Sequence, residues 1–119
     1  QPDLAPGKCW AFPGSNERVV IHLPAWIWPT AVTLQHISKM VSPENDISSS
    51  PKGISISGLD DEGAEVLLGA FQFDIEKDPM QFFPLKDELH KAFQYIKVNI
   101  QSNWGNKEYT CLYHLKLHG

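Results

Sequence analysis

Residues 93–101, "FQYIKVNIQ", decide the fold class. Ile96, Val98 and Ile100 fall on one side of an extended chain, and Lys97, Asn99 and Gln101 on the other. That alternation is the pattern of a strand with one buried face. Working outward, the same period recurs in "RVVIHL" (18–23), "AVTLQHI" (31–37), "GISISGL" (53–59), "EVLLGAFQFD" (65–74), "MQFFPL" (80–85) and "YTCLYHLKLHG" (109–119).

Turn signals separate these runs: "FPGSNE", "SPENDISSSPKG", "LDDEGAE" and "DIEKDP" carry most of the nine prolines and eight glycines. The single helical candidate is "LKDELHKAF" (85–93), short enough to be a turn. About seven strands with turns at this spacing, and little or no helix, predict an all-β fold, a compact antiparallel β-sandwich. There is no internal repeat, linker or low-complexity segment, so residues 1–119 read as one domain.

Composition narrows the function. Apolar residues make up 42% of the chain and charged residues 20%, ordinary for a globular domain. The net charge of −4 and the lack of any basic run exclude the electrostatic footprint of a nucleic-acid binder. No apolar stretch is long enough to span a membrane, and no signal peptide opens the chain. The loop-like start, "QPDLAPG", gives the expectation of a piece of a longer protein with its targeting information elsewhere.

Enzyme signatures are missing. No GxSxG elbow, HExxH, P-loop or dinucleotide fingerprint occurs, and neither cysteine has a nucleophile motif around it. "LDDEG" lacks the ligand spacing of a calcium loop and reads as a solvated turn. The long loop from Ser38 to Gly53 holds three consecutive hydroxyls, which suit either a solvated turn or a functional loop. Trp10, Trp26, Trp28 and Trp104 could stack on sugar rings or mark a protein contact. His114 and His118 share one strand face about 13 Å apart, too far to hold one metal. Cys9 and Cys111 lie too far from other ligands for a zinc motif. They are either two buried thiols or one bridge closing nearly the whole chain.

The segments "GKCWAFPGS", "PTAVTLQHISKMVSP", "ISSSPKGISISGL", "LLGAFQFD" and "SNWGNKEYTCLYHLKLHG" together resemble the SUN domain, in order and at family spacing across the chain. "GAFQFD" and "NWGN" look more like the testis-type members, which implies a role in spermatogenesis. The resemblance implies a jelly-roll-like sandwich that works as a homotrimer on an upstream coiled coil and carries no catalysis. It implies an inner-nuclear-membrane protein with this domain in the perinuclear space. There it would bind the C-terminal peptides of KASH-domain (nesprin-type) proteins in a LINC complex, bridging the nuclear envelope and joining nucleus to cytoskeleton. A carbohydrate-binding β-sandwich module is the alternative.

The resemblance also assigns residues. It pairs Cys9 with Cys111 in a disulfide, which an oxidising lumen would allow. It places Ser49, Tyr109 and Tyr113 around the peptide's terminal residues and carboxylate, where hydroxyl donors make charge-assisted bonds. His36 joins that surface as a donor whose charge varies near neutral pH. Cys111 lies between the two tyrosines at even spacing, so Tyr109, Cys111 and Tyr113 are expected on one side of a regular strand. Backbone carbonyls of Gln1, Asp3, Lys8 and Tyr113 would hold a structural potassium ion. Glu17 stands where the family usually has glycine, opposing a positive φ or a close subunit approach. Asn106 and Lys107 replace the usual His-Pro near the pocket. The family's KASH lid and coiled coil would lie upstream of residue 1, as would any membrane attachment. Strand addition by the lid supplies main-chain bonds, so these 119 residues alone are expected to bind weakly.

Overall fold

The computed structural model describes residues 9–37, 46–86 and 91–119. Among the described residues, nine strands form three antiparallel sheets: β1 (Trp10–Pro13), β2 (Glu17–Ile27), β3 (Ala31–Gln35), β4 (Gly53–Leu59), β5 (Glu65–Gln72), β6 (Met80–Pro84), β7 (Phe93–Ile100), β8 (Tyr109–Leu112) and β9 (His114–His118). The large sheet runs β2-β7-β4-β5, the second runs β6-β3-β9, and β1 pairs with β8. The all-β sandwich expected from the sequence is the fold observed.

β7 lies inside the large sheet, and its alternation explains why. Ile96, Val98 and Ile100 are buried, while Lys97 and Asn99 lie on the opposite face. They join Ile54 and Ile56 of β4 and meet Val32 and Leu34 of β3 from the second sheet. Burying each such side chain contributes about 1.5–3 kcal/mol before entropy is counted. Phe93 fills the space beside Gly58, where a Cβ would lie 2.5 Å from its ring. Phe12 and Leu112 extend the same core under the β1-β8 pair.

Three features depart from the expected elements. The strand predicted at 18–23 runs on to Ile27, although Pro24 removes a donor. β2 is an outer strand, and its register shifts between His22 and Ile27, so Pro24 interrupts no regular pairing. β1 went unforeseen because its residues, "WAFP", carry no alternation. The predicted final strand, 109–119, is two strands: β8 pairs with β1 and β9 with β3, and Tyr113 belongs to neither. Tyr109, Cys111 and Tyr113 therefore do not share one side of a regular strand. Of the helical candidate, 85–86 and 91–92 are neither helix nor strand, Phe93 opens β7, and 87–90 lie outside the described residues.

The turns follow local chemistry. "LDDEGAE" joins β4 to β5, with Asp60 Oδ1 accepting bonds from the Glu62 and Ala64 amides, both 2.9 Å. Gly63 takes φ +82° there, a conformation that side chains disfavour. Glu17 opens β2 opposite Ile100 in extended backbone, so its position demands no positive φ.

Candidate functional site

The disulfide marks the centre of the site. Cys9 and Cys111 are bonded, with Cα atoms 5.6 Å apart, which resolves the two readings of the cysteines in favour of one bridge. Cys111 sits in β8 and packs with Ile37 and Tyr113 in a small cluster apart from the main core. Its amide donates to Ser49 O at 2.8 Å, which docks the serine turn against the strand. That turn is closed from within by Ser50 N to Ile47 O at 3.0 Å and Ser48 N to Asp46 Oδ1 at 2.9 Å.

His36 follows β3, held by its amide on Pro79 O at 2.9 Å. Its ring meets Tyr113 edge-on, with centroids 4.8 Å apart, and Phe73 at 6.5 Å. Nδ1 lies 3.3 Å from Ile37 O. Because a carbonyl only accepts, Nδ1 carries the proton and Nε2 presents a lone pair. The side chain is 4% exposed and Nε2 has no partner. Burial holds the imidazole below its ordinary value of 6.5, against opposing bonds to the Ile37 and Cys111 backbone. The expected near-neutral change of charge is thus displaced toward lower pH, because burial favours the neutral imidazole. Beside it lies a cavity of about 110 Å³ lined by Ile37, Ile47, Phe73, Ile75, Lys77 and Pro79. Ser50 Oγ, also buried, is a second unpaired polar atom in the same turn as Ser49. Native interiors leave few such atoms without a role.

Three of the four expected peptide-binding residues converge on Cys111: Ser49 through its carbonyl, Tyr113 through packing, and His36 through Tyr113. Tyr109 opens β8 two residues before the cysteine and is 43% exposed, whereas Tyr113 is 7% exposed. One tyrosine is presented to solvent and the other supports the wall. The wall residues Phe73, Ile75 and Lys77 went unnoticed in the sequence because they sit in "FDIEK", a stretch that read as a strand end and turn. Of the potassium donors, Gln1, Asp3 and Lys8 lie outside the described residues, as do 38–45 of the long loop. Among the described residues no group of three His, Cys, Asp or Glu side chains is placed to hold a metal ion.

The histidines and tryptophans divide between regions. His114 and His118 both lie in β9, and His118 Nε2 shares a 2.7 Å hydrogen bond with Thr33 Oγ1. Trp104 donates from its indole to Phe73 O at 2.8 Å, at the site. Trp26, 57% exposed, borders a separate hollow of about 160 Å³ with Asp60, Asp61, Glu62 and Lys91.

A disulfide-clipped all-β sandwich with this arrangement of strands matches a known class. The family model for the Sad1/UNC-like C-terminal domain covers residues 1–119, and the chain belongs to that family, the SUN domains. Over its whole length it is 47% identical to mouse SUN domain-containing protein 3, of which it spans 38%. It is also 47% identical to human SUN domain-containing protein 1, spanning 16% of it. Among solved structures, the family 32 carbohydrate-binding module from Streptococcus pneumoniae EndoD superposes with a TM-score of 0.74 at 16% identity, over 96% of this chain and 77% of that one. That likeness is one of fold alone.

Proposed function

We propose that this domain grips the C-terminal tail of KASH proteins in the perinuclear space, as part of a LINC complex bridging the nuclear envelope. The observation that carries the proposal is the buried, unpaired Nε2 of His36 beside a cavity that combines an apolar lining with Lys77. A peptide terminus supplies what such a site lacks: an apolar side chain, an N–H donor and a carboxylate. The Lys77 ammonium in the cavity lining suits the carboxylate, and the family resemblance assigns the hydroxyls of Ser49 and Tyr109 to the same group. The role is tethering, with no catalytic step. Family membership supports the remaining parts of the proposal: a homotrimer on a coiled coil, an inner-nuclear-membrane location, and a potassium ion on carbonyls of Gln1, Asp3, Lys8 and Tyr113. "GAFQFD" and "NWGN" support a testis-type member acting in spermatogenesis.

Calorimetric titration tests this, with a KASH C-terminal peptide as free acid and as amide, into a protein that includes the lid and coiled coil. Heat from the free acid alone is expected. Equal heat from both forms, or none from either with the protein folded, refutes the carboxylate pocket. The same titration into residues 1–119 alone is expected to show much weaker binding. The exposed Trp26 hollow favours carbohydrate binding as a second reading. Its test is a glycan panel, in which a hit lost on Trp26→Ala would establish it.

A further inference from the structure

We infer, on the peptide-binding reading above, that the Asn103–Trp104 turn is the positioning element of the site. It fixes the Ser49 turn, the Phe73 wall and strand β8 relative to one another before a ligand arrives. Neither residue has been given a ligand contact.

Trp104 is tied to the serine turn and to Phe73. Its amide is shared between Ser48 O at 3.1 Å and Ser50 O at 3.2 Å, the carbonyls on either side of Ser49. Its indole Nε1 donates to Phe73 O at 2.8 Å, behind the ring that faces His36. Phe73 N in turn donates to Lys52 O at 2.9 Å, and the Lys52 ammonium lies 4.5 Å above the Trp104 ring.

Asn103 is tied to strand β8. Its Nδ2 is shared among Asn106 O at 2.8 Å, Thr110 Oγ1 at 3.0 Å and Tyr109 O at 3.2 Å. Its Oδ1 accepts from the Gly105 amide at 2.9 Å, and Gly105 takes φ +115°, open to glycine. Asn106 Oδ1 then accepts from Glu108 N at 2.9 Å and Tyr109 N at 3.1 Å, setting where β8 begins. Asn106 is therefore a turn-closing acceptor next to Tyr109.

Three segments remote in sequence, 48–50, 73 and 109–110, are thus bonded by one dipeptide; Phe73 lines the cavity, and the other two carry Ser49 and Tyr109, which the proposed function assigns to the peptide carboxylate. The bonds to the serine turn come from the Trp104 backbone amide, whereas the Trp104 indole and the Asn103 amide group hold Phe73 and β8 through their side chains. Fixing these segments in advance spares the ligand the cost of ordering them.

The test uses the full-length protein and three variants. Trp104→Phe keeps the ring and removes the indole donor; Asn103→Asp keeps Oδ1 and removes the Nδ2 donor. Thr33→Val removes a hydrogen bond on the other sheet and serves as a control. Two quantities are read: amide exchange at Cys111, whose N–H bonds Ser49 O, and affinity for the free-acid peptide. Faster exchange and roughly tenfold weaker binding are expected for Trp104→Phe and Asn103→Asp, with Thr33→Val unchanged in both. Unchanged exchange at Cys111 overturns the inference, whatever happens to binding. So does equal loss in Thr33→Val at matched melting temperature. If the unmutated protein binds no peptide while exchange still responds only at Asn103 and Trp104, the positioning role stands and the peptide reading falls.

Discussion

Removing the Cys9–Cys111 bridge is the perturbation with the largest expected effect on stability. The bridge spans 102 residues, so breaking it releases nearly the whole chain in the unfolded state. In the chain-entropy model a closed loop of that size corresponds to about 4.7 kcal/mol. Cys111 is also buried against Ile37 and Tyr113, so replacing both cysteines by alanine forfeits a little packing as well. A loss of about 5 kcal/mol compares with a total of about 5–15 kcal/mol for a domain, which puts the variant near the edge of folding. The assay is equilibrium urea unfolding followed by tryptophan fluorescence, on the oxidised protein, the reduced protein and Cys9→Ala/Cys111→Ala. The slope with denaturant should rise in both bridge-free forms, because a freed chain exposes more surface. A loss under about 1 kcal/mol with unchanged slope would show that the unfolded chain is restricted without the bridge, and would refute the entropic reasoning.

Gly58→Ala should cost about 1–3 kcal/mol by driving a methyl into the Phe93 ring, and a Phe93→Leu background should recover part of it, as read from urea midpoints. His36 titrates below its ordinary value because it is buried, so the unfolded chain takes up the proton first as pH falls. Its contribution is full above 6.5 and declines below it, by up to about 1.4 kcal/mol per pH unit. Urea unfolding at about pH 7.5 and about pH 5.5 should show that decline reduced in His36→Gln. Ser49→Ala and Tyr109→Phe should each weaken free-acid peptide binding roughly three- to tenfold by calorimetry.

Most of the strands were legible because burial on one face writes a period of two into the sequence, as in Ile96, Val98 and Ile100. Where pairing is decided by distant partners, the pattern is silent. β1 forms because β8 is opposite it, with Ala11 facing Cys111, and "WAFP" alone contains no sign of that. The break at Tyr113 was hidden for the opposite reason. Alternation continues through "YTCLYHLKLHG", yet the chain passes from one sheet to another inside it. The site was legible only through the resemblance: nothing in the neighbourhood of His36 or Ser49 announces that they meet around Cys111. Their meeting depends on backbone bonds such as Cys111 N to Ser49 O, which any residue type can make. Lys77 and Phe73 stayed hidden for the same cause, being brought to the cavity by the course of the chain after β5.

Tyr113 stands between two ladders, and this has a mechanical consequence. β8 is bonded to β1 on one side of it, and β9 to β3 on the other. Antiparallel hydrogen bonds lie across the strands, so tension along β8 or β9 loads many of them in shear at once. A pull delivered at Tyr113 divides between both ladders, and on the β8 side it reaches the covalent link at Cys111 within two residues. The crossing point thus joins the β1-β8 pair, the β6-β3-β9 sheet and the disulfide in one path for tension that runs along the strands.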